Sequence, residues 1–322
     1  MSRIYEALQK AESERKLERH ERESFAPEQV ADDSPIPART ASAVAEEYDS
    51  ASMQTMTSRL AETFEPSPLT HDRASGLNVD KIARQPWSPV LSQLPALLDR
   101  GPSVEQFRSL RSRIYELRDI SPLKSILVSS GLPQEGKSFI SANLAISLAR
   151  HKNSKVLLID GDMRRYTAHE ILGCESQPGL AEYLAGKASI EEVMQRADAA
   201  DANGSAKFHL TNLTFIPGGN GGDKAADLSG NPRFGELIKL AEPHFDWIIV
   251  DSSPVLPVSD AVNLARSCDG VLLVARGGVT KFPVAQRAAS ELKASNILGF
   301  VLNAVEDKPQ VGDYYGYNAN KE

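Results

Sequence analysis

Residues 125–138 read SILVSSGLPQEGKS, a short apolar run followed by a Gly-x4-Gly-Lys-Ser loop. A buried strand, a glycine-rich turn and then a helix is the context in which that loop cradles phosphate. Glycine lets backbone N–H groups turn inward around phosphate oxygens. Lys137 adds a point charge for the β- and γ-phosphates, and Ser138 offers a hydroxyl to Mg2+. The segment from Phe139 to Arg150 reads as a helix whose N-terminus favours anions. The expected phosphate site is therefore Gly131, Leu132, Pro133, Gln134, Glu135, Gly136, Lys137, Ser138 and Phe139, holding a nucleoside triphosphate with Mg2+.

Working outward, the chain alternates short strands rich in Val, Ile and Leu with helical patterns. Strands are expected at Ser125–Ser129, Lys155–Ile159, Leu213–Ile216, Trp247–Val250, Val271–Ala275 and Phe300–Asn303. Helices are expected at Ser138–Arg150, Ser189–Arg196, Phe234–Ala241, Asp260–Ala265 and Val284–Ala294, with 218–232 loop-like at its start. This pattern predicts an α/β fold of the P-loop NTPase type, a mostly parallel sheet with helices on both faces. Upstream, Ser103 with Gln106 reads as a capping box, and Phe107, Leu110, Ile114 and Leu117 follow as a helical apolar stripe. Glu105, Arg108 and Arg111 fall off that stripe.

Two further motifs end strands. LLIDGDMRR places Asp160 and Asp162 beyond one strand, and WIIVDSSP places Asp251 at the end of another. In an open α/β sheet ligands bind outside the carboxyl ends of the strands, so these carboxylates should converge on the loop. Ser138 with one or two of them suffices for Mg2+, and a remaining one can accept a proton from an attacking hydroxyl.

Composition narrows the rest. A net charge of −7 over 322 residues argues against a nucleic-acid binder. Cys174 and Cys268 stand alone, without a metal-binding spacing, which fits a reducing cytoplasm. No apolar run is long enough for a membrane span. The expected organisation is a charged helix at 1–23, a disordered acidic and Pro/Ser-rich linker at 24–97, a phosphate-loop domain at 98–308 and a flexible tail at 309–322.

Together the motifs resemble the bacterial tyrosine kinases of capsule and exopolysaccharide export, the BY-kinases, over roughly Glu105 to the C-terminus. GLPQEGKS is similar to their Walker A loop, LLIDGDMRR to Walker A′ and IIVDSSP to Walker B. EQFRSLR is similar to their Glu-x-x-Arg-x-x-Arg helix, and Tyr314, Tyr315 and Tyr317 to their autophosphorylation tail. The resemblance implies an ATP-dependent, autophosphorylating protein-tyrosine kinase. In it Lys137 grips phosphates, Ser138 and Asp251 serve Mg2+, and Asp160 or Asp162 serves metal and hydroxyl activation. It further implies a homo-oligomeric ring packed through Glu105, Arg108 and Arg111, and a base-contacting Asn303. A membrane chain-length regulator acting in trans would hold the chain at the inner membrane.

The sequence departs from the family in three places: Tyr166 stands where proline is usual, Walker B runs Asp-Ser-Ser-Pro instead of Asp-Thr-Pro-Pro, and the tail cluster holds only three tyrosines. Two other readings stay open. Partition- and division-site ATPases share this fold, but carry a second loop lysine where this chain has Leu132. A nucleotide-gated scaffold without turnover is the third.

Overall fold

The computed structural model describes residues 77–198 and 210–305. The predicted N-terminal helix, most of the predicted linker and the tail tyrosines lie outside them. Among the described residues one sheet has eight strands: β1 (Arg84–Gln85), β2 (Ser125–Ser130), β3 (Val156–Asp160), β4 (Gln195–Ala197), β5 (Leu213–Ile216), β6 (Trp247–Asp251), β7 (Gly270–Arg276) and β8 (Ile297–Asn303). Their spatial order is β1-β4-β5-β3-β6-β2-β7-β8. The six from β5 to β8 are mutually parallel, and β4 runs antiparallel to β5. The strand that feeds the phosphate loop, β2, is thus flanked by β6 and β7 near the centre.

Consecutive apolar residues in β2 serve two cores. Ile126 and Val128 face one side, with Phe107, Ile114, Leu144 and Leu148; Leu127 faces the other, with Phe234, Leu237 and Leu264. A strand covered on both faces has no polar side, so its sequence reads as an unbroken apolar run. The first layer comprises α1 (Pro102–Ile120) and α2 (Lys137–Ala149); the second includes α7 (Arg233–Ala241), α8 (Asp260–Ala265) and α9 (Phe282–Glu291). Short helices α3 (Ala168–Leu172), α4 (Leu180–Leu184), α5 (Ile190–Val193) and α6 (Ala225–Ser229) complete the α-helices among the described residues.

Three expectations are corrected. Residues 77–97 are not part of a disordered linker: Leu77, Ile82, Trp87, Leu94 and Leu97 are buried in the two cores, and Arg84–Gln85 adds a strand beside β4. Three-residue helical turns and a two-residue strand carry too little periodicity to be read from sequence. Ser103 caps nothing. Helix α1 begins two residues earlier than that cap would place it, with Pro102 in its first turn after Gly101 at φ 140°, a glycine-then-proline entry. The helix expected at Ser189–Arg196 stops at Val193. Ser189 and Glu192 form a capping box, but Met194 turns extended and the chain becomes β4. The stretch 218–232, loop-like at its start as read, turns helical at α6, whose Ala225 is fully buried.

Candidate active site

The loop after β2 is shaped by its own residues. Gln134 and Gly136 both adopt positive φ, 63° and 95°. Gly136 is required there twice over, because a Cβ would also collide with the Asn303 amide. Ser130 Oγ donates to the Leu132 carbonyl at 2.7 Å, and the Leu132 N–H donates to Glu135 Oε2 at 2.8 Å. The Thr280 hydroxyl donates to Glu135 Oε1, and Asn303 Nδ2 donates to the Glu135 carbonyl at 3.0 Å. The Leu132 N–H is therefore already engaged, and Pro133 has none. The N–H groups of Gly136, Lys137 and Ser138 are among those left to face a phosphate at the start of α2, where the helix leaves N–H groups unpaired.

The three aspartates converge as the motifs require. Asp160 and Asp251 end neighbouring strands and pair in register, and Asp162 follows two residues on. All three are buried. Lys137 Nζ lies 3.1 Å from Asp162 Oδ2. Asp162 Oδ1 accepts the Arg165 N–H at 3.1 Å, while the Asp160 oxygens accept the N–H groups of Asp162 and Ala168 at 3.1 and 3.2 Å. Asp251 Oδ1 is 3.2 Å from Ser141 Oγ, which also contacts the Lys137 carbonyl at 2.8 Å. Of these six carboxylate oxygens, Asp251 Oδ2 alone is buried without a hydrogen-bond partner. An orphaned buried acceptor costs about 1–3 kcal/mol, and here it sits in the strand-end cluster beside the phosphate loop.

Electrostatics follow from burial. Asp160 is pushed well above the ordinary carboxylate range, by desolvation first and by the Asp251 charge second. Asp251 is also raised by desolvation, against the opposing pull of the Lys137 charge and the Ser138 hydroxyl. Burial alone would lower Lys137, yet Asp251 and Asp162 outweigh it and raise its pKa. Three buried carboxyl groups around one ammonium make a site short of positive charge. A divalent cation fits that deficit. Among the described residues no three His, Cys, Asp or Glu side chains form a ready-made metal cage. Mg2+ keeps waters and leans on substrate phosphates, so it needs few ligands from the protein.

Sequence reading missed several contributors. Ser141 lies one helical turn beyond Lys137, and that i,i+4 spacing was its available signal. Thr280, in the turn after β7, gave none. Arg164 pairs with the buried Asp260 at 2.7 Å and ties the loop beyond Asp162 to α8. Tyr166 lies beside the cluster: a Cβ on Gly218 would press on Tyr166 Cβ and approach Asp160 Cγ to 3.5 Å. Asn303 stands at the end of β8 with its amide on the loop backbone. On α1, Arg108 pairs with Glu105 at 2.6 Å on the exposed face, whereas Arg111 turns inward to the Ser147 carbonyl at 3.0 Å.

An AAA-domain family matches residues 133–279. The tyrosine-protein kinase Wzc of Salmonella typhimurium is 33% identical over 67% of this chain, and the tyrosine-protein kinase Etk of Escherichia coli is 32% identical over 63%. This chain spans 28% and 27% of the lengths of those relatives. The solved kinase domain of Escherichia coli Etk is 30% identical with a TM-score of 0.62, covering 75% of this chain and 89% of that one. The chimerical protein CapA2B2 is 26% identical with a TM-score of 0.58, covering 66% and 90%. The phosphate loop, the strand-end aspartates and these likenesses agree: the chain belongs to the bacterial tyrosine kinase (BY-kinase) family.

Proposed function

We propose that this chain is an ATP-dependent protein-tyrosine kinase that phosphorylates Tyr314, Tyr315 and Tyr317, and that it regulates exopolysaccharide or capsule polymerisation and export. The observation that carries the reading is the Lys137–Asp162 pair beside the buried Asp160–Asp251 pair. Ser138 and Asp251 Oδ2 would hold Mg2+, which offsets phosphate charge when bound.

Lys137 exchanges Asp162 for the β- and γ-phosphate oxygens when nucleotide enters. Asp162 Oδ2 then lacks its partner and accepts the proton of the incoming tyrosine hydroxyl. The tyrosine oxygen forms its bond to the γ-phosphorus as the bond to the ADP oxygen breaks. Asp160 is fixed by two backbone N–H groups and holds the Walker A′ turn that aims Asp162.

The phosphate-loop domain then begins no later than Leu77 instead of at 98, and the tail from 309 is the acceptor. A ring packed through the Glu105, Arg108 and Arg111 face would offer each tail to a neighbouring site. A membrane-embedded chain-length regulator acting in trans would place the chain at the inner membrane; no helix of the described residues is long and apolar enough to cross one. Purified chain incubated with Mg-ATP should acquire phosphotyrosine on its last dozen residues by mass spectrometry, and Lys137→Met should not. Hydrolysis or binding of ATP without any phosphotyrosine would overturn the kinase reading.

A further inference from the structure

Glu135 is 3% exposed although it lies within the phosphate loop. A buried carboxylate beside a triphosphate site should repel the ligand, so its retention needs another role. Both of its oxygens face donors on its own chain, the Leu132 N–H at 2.8 Å and the Thr280 hydroxyl. Its carbonyl takes the Asn303 amide at 3.0 Å. Thr280 Oγ1 in turn accepts the Arg276 N–H at 2.8 Å, which fixes the turn after β7. One residue thus ties the loop to itself, to the β7–α9 turn and to the end of β8.

We propose that Glu135 is a positioning residue, a latch that sets the phosphate loop in its nucleotide-ready form and couples it to the β7–α9 turn. The inference rests on the reading that this loop holds nucleotide. The latch consumes the Leu132 N–H and holds Gln134 at φ 63°, a conformation that non-glycine residues reach only when their surroundings enforce it. With the loop so fixed, the N–H groups after Gly136 need no reordering when phosphate arrives. A loop that must first be ordered binds more weakly by the fraction of time it is competent. Because Thr280 lies next to the exposed Val279 and close to the exposed Phe282, displacement of that turn would be felt at the loop.

The test is a double-mutant cycle on Glu135→Ala and Thr280→Val, with Mg-ATP affinity read by calorimetry and phosphorylation read as kcat and KM. Loss of a charged hydrogen-bond pair predicts a rise of about tenfold in Kd and KM for Glu135→Ala, with a smaller change in kcat. Thr280→Val should weaken binding in the same direction, and the double variant should be no worse than Glu135→Ala, since both break one unit. Glu135→Gln, which keeps an acceptor oxygen, should recover part of the loss. Full additivity, or unchanged affinity in Glu135→Ala while the parent binds, overturns the latch. Should Glu135→Ala fail to fold, Glu135→Gln with Thr280→Val decides by the same additivity criterion. Absence of nucleotide binding by the parent chain would instead overturn the functional reading itself.

Discussion

Asp160 and Asp251 are the last residue pair in the register between β3 and β6, and both are fully buried. Strand pairing itself therefore sets two carboxylates side by side, before any ligand is present. Their surroundings separate their roles. Asp160 has each oxygen on a backbone N–H, while Asp251 keeps one oxygen bare.

That difference makes a contrast between two variants decisive. Asp251→Asn should remove Mg2+-dependent activity by about a hundredfold or more, because a cation's stabilisation of transferring phosphate is worth several kcal/mol. Folding should change little, and the Mg2+ dependence of nucleotide affinity should disappear. Asp162→Asn should cut kcat by a comparable factor, the range for removing a general base, yet keep that Mg2+ dependence. Calorimetry with and without Mg2+, beside a phosphotyrosine assay, separates the two. A metal dependence lost in Asp162→Asn and kept in Asp251→Asn would reverse the assignment.

The same burial predicts a pH dependence. The Asp160 pKa is raised in the folded chain, so between the ordinary value of 3.8 and that raised value the native state holds a proton the unfolded chain has lost. Stability without ligand should therefore fall as pH rises through this window, and the full penalty of a buried charge should stand above it. In Asp160→Asn the group no longer titrates and the decline should flatten. Melting temperatures from pH 4 to 7 for parent and variant test this; identical slopes would mean Asp160 is not the titrating group.

How far the sequence carried is clearest at the strand ends. Asp160, Asp162 and Asp251 were legible because a strand buried on both faces is an uninterrupted apolar run, and the residue that ends it is conspicuous. Which oxygen each would leave free was not legible, since that depends on Ser141, Ala168 and Arg165 arriving from other turns. Glu135 was read as one more loop residue, because its partner Thr280 is 145 positions away and a lone threonine in a Gly-Gly-Val-Thr turn signals nothing. The helical pattern at Ser189–Arg196 does start a helix, but Met194 turns extended after four residues and the chain pairs with β5 as β4.

The Glu105, Arg108 and Arg111 face gives a prediction that the contacts within one chain refine. Arg108, Arg111, Arg150 and His151 line a concavity of about 240 Å³ over Ala96, Val104 and Phe107. Arg150 is paired with Asp99 and Arg108 with Glu105 at the rim, so an acidic neighbour could exchange with either. Because Arg111 also holds the end of α2 through Ser147, its loss would disturb the chain's own packing. Arg108→Ala is the cleaner probe. It should leave nucleotide affinity intact and convert oligomers to smaller species by light scattering; an unchanged mass would sink the ring.

The burial of residues 77–97 yields a prediction about where the domain begins. Leu94 is fully buried, Ile82 is 3% exposed and Trp87 is 9% exposed. Asn143, inside α2, accepts the Ala96 N–H at 3.0 Å and donates to the Gln93 carbonyl at 2.9 Å. A disordered linker would make neither the apolar nor the polar contacts. At about 1.5–3 kcal/mol per buried apolar side chain, removing Ile82, Trp87 and Leu94 should cost about 5 kcal/mol or more, which approaches the whole stability of an ordinary domain. It would also strip the buried Asn143 amide of its Ala96 and Gln93 partners, leaving it the Phe139 carbonyl alone, in the helix that carries Lys137 and Ser138. A chain trimmed to begin at residue 98 should therefore unfold at much lower denaturant or aggregate, and bind nucleotide weakly. One trimmed to begin at residue 77 should match the parent in both respects. Equal denaturant midpoints for the two would show that the segment adds nothing to the domain.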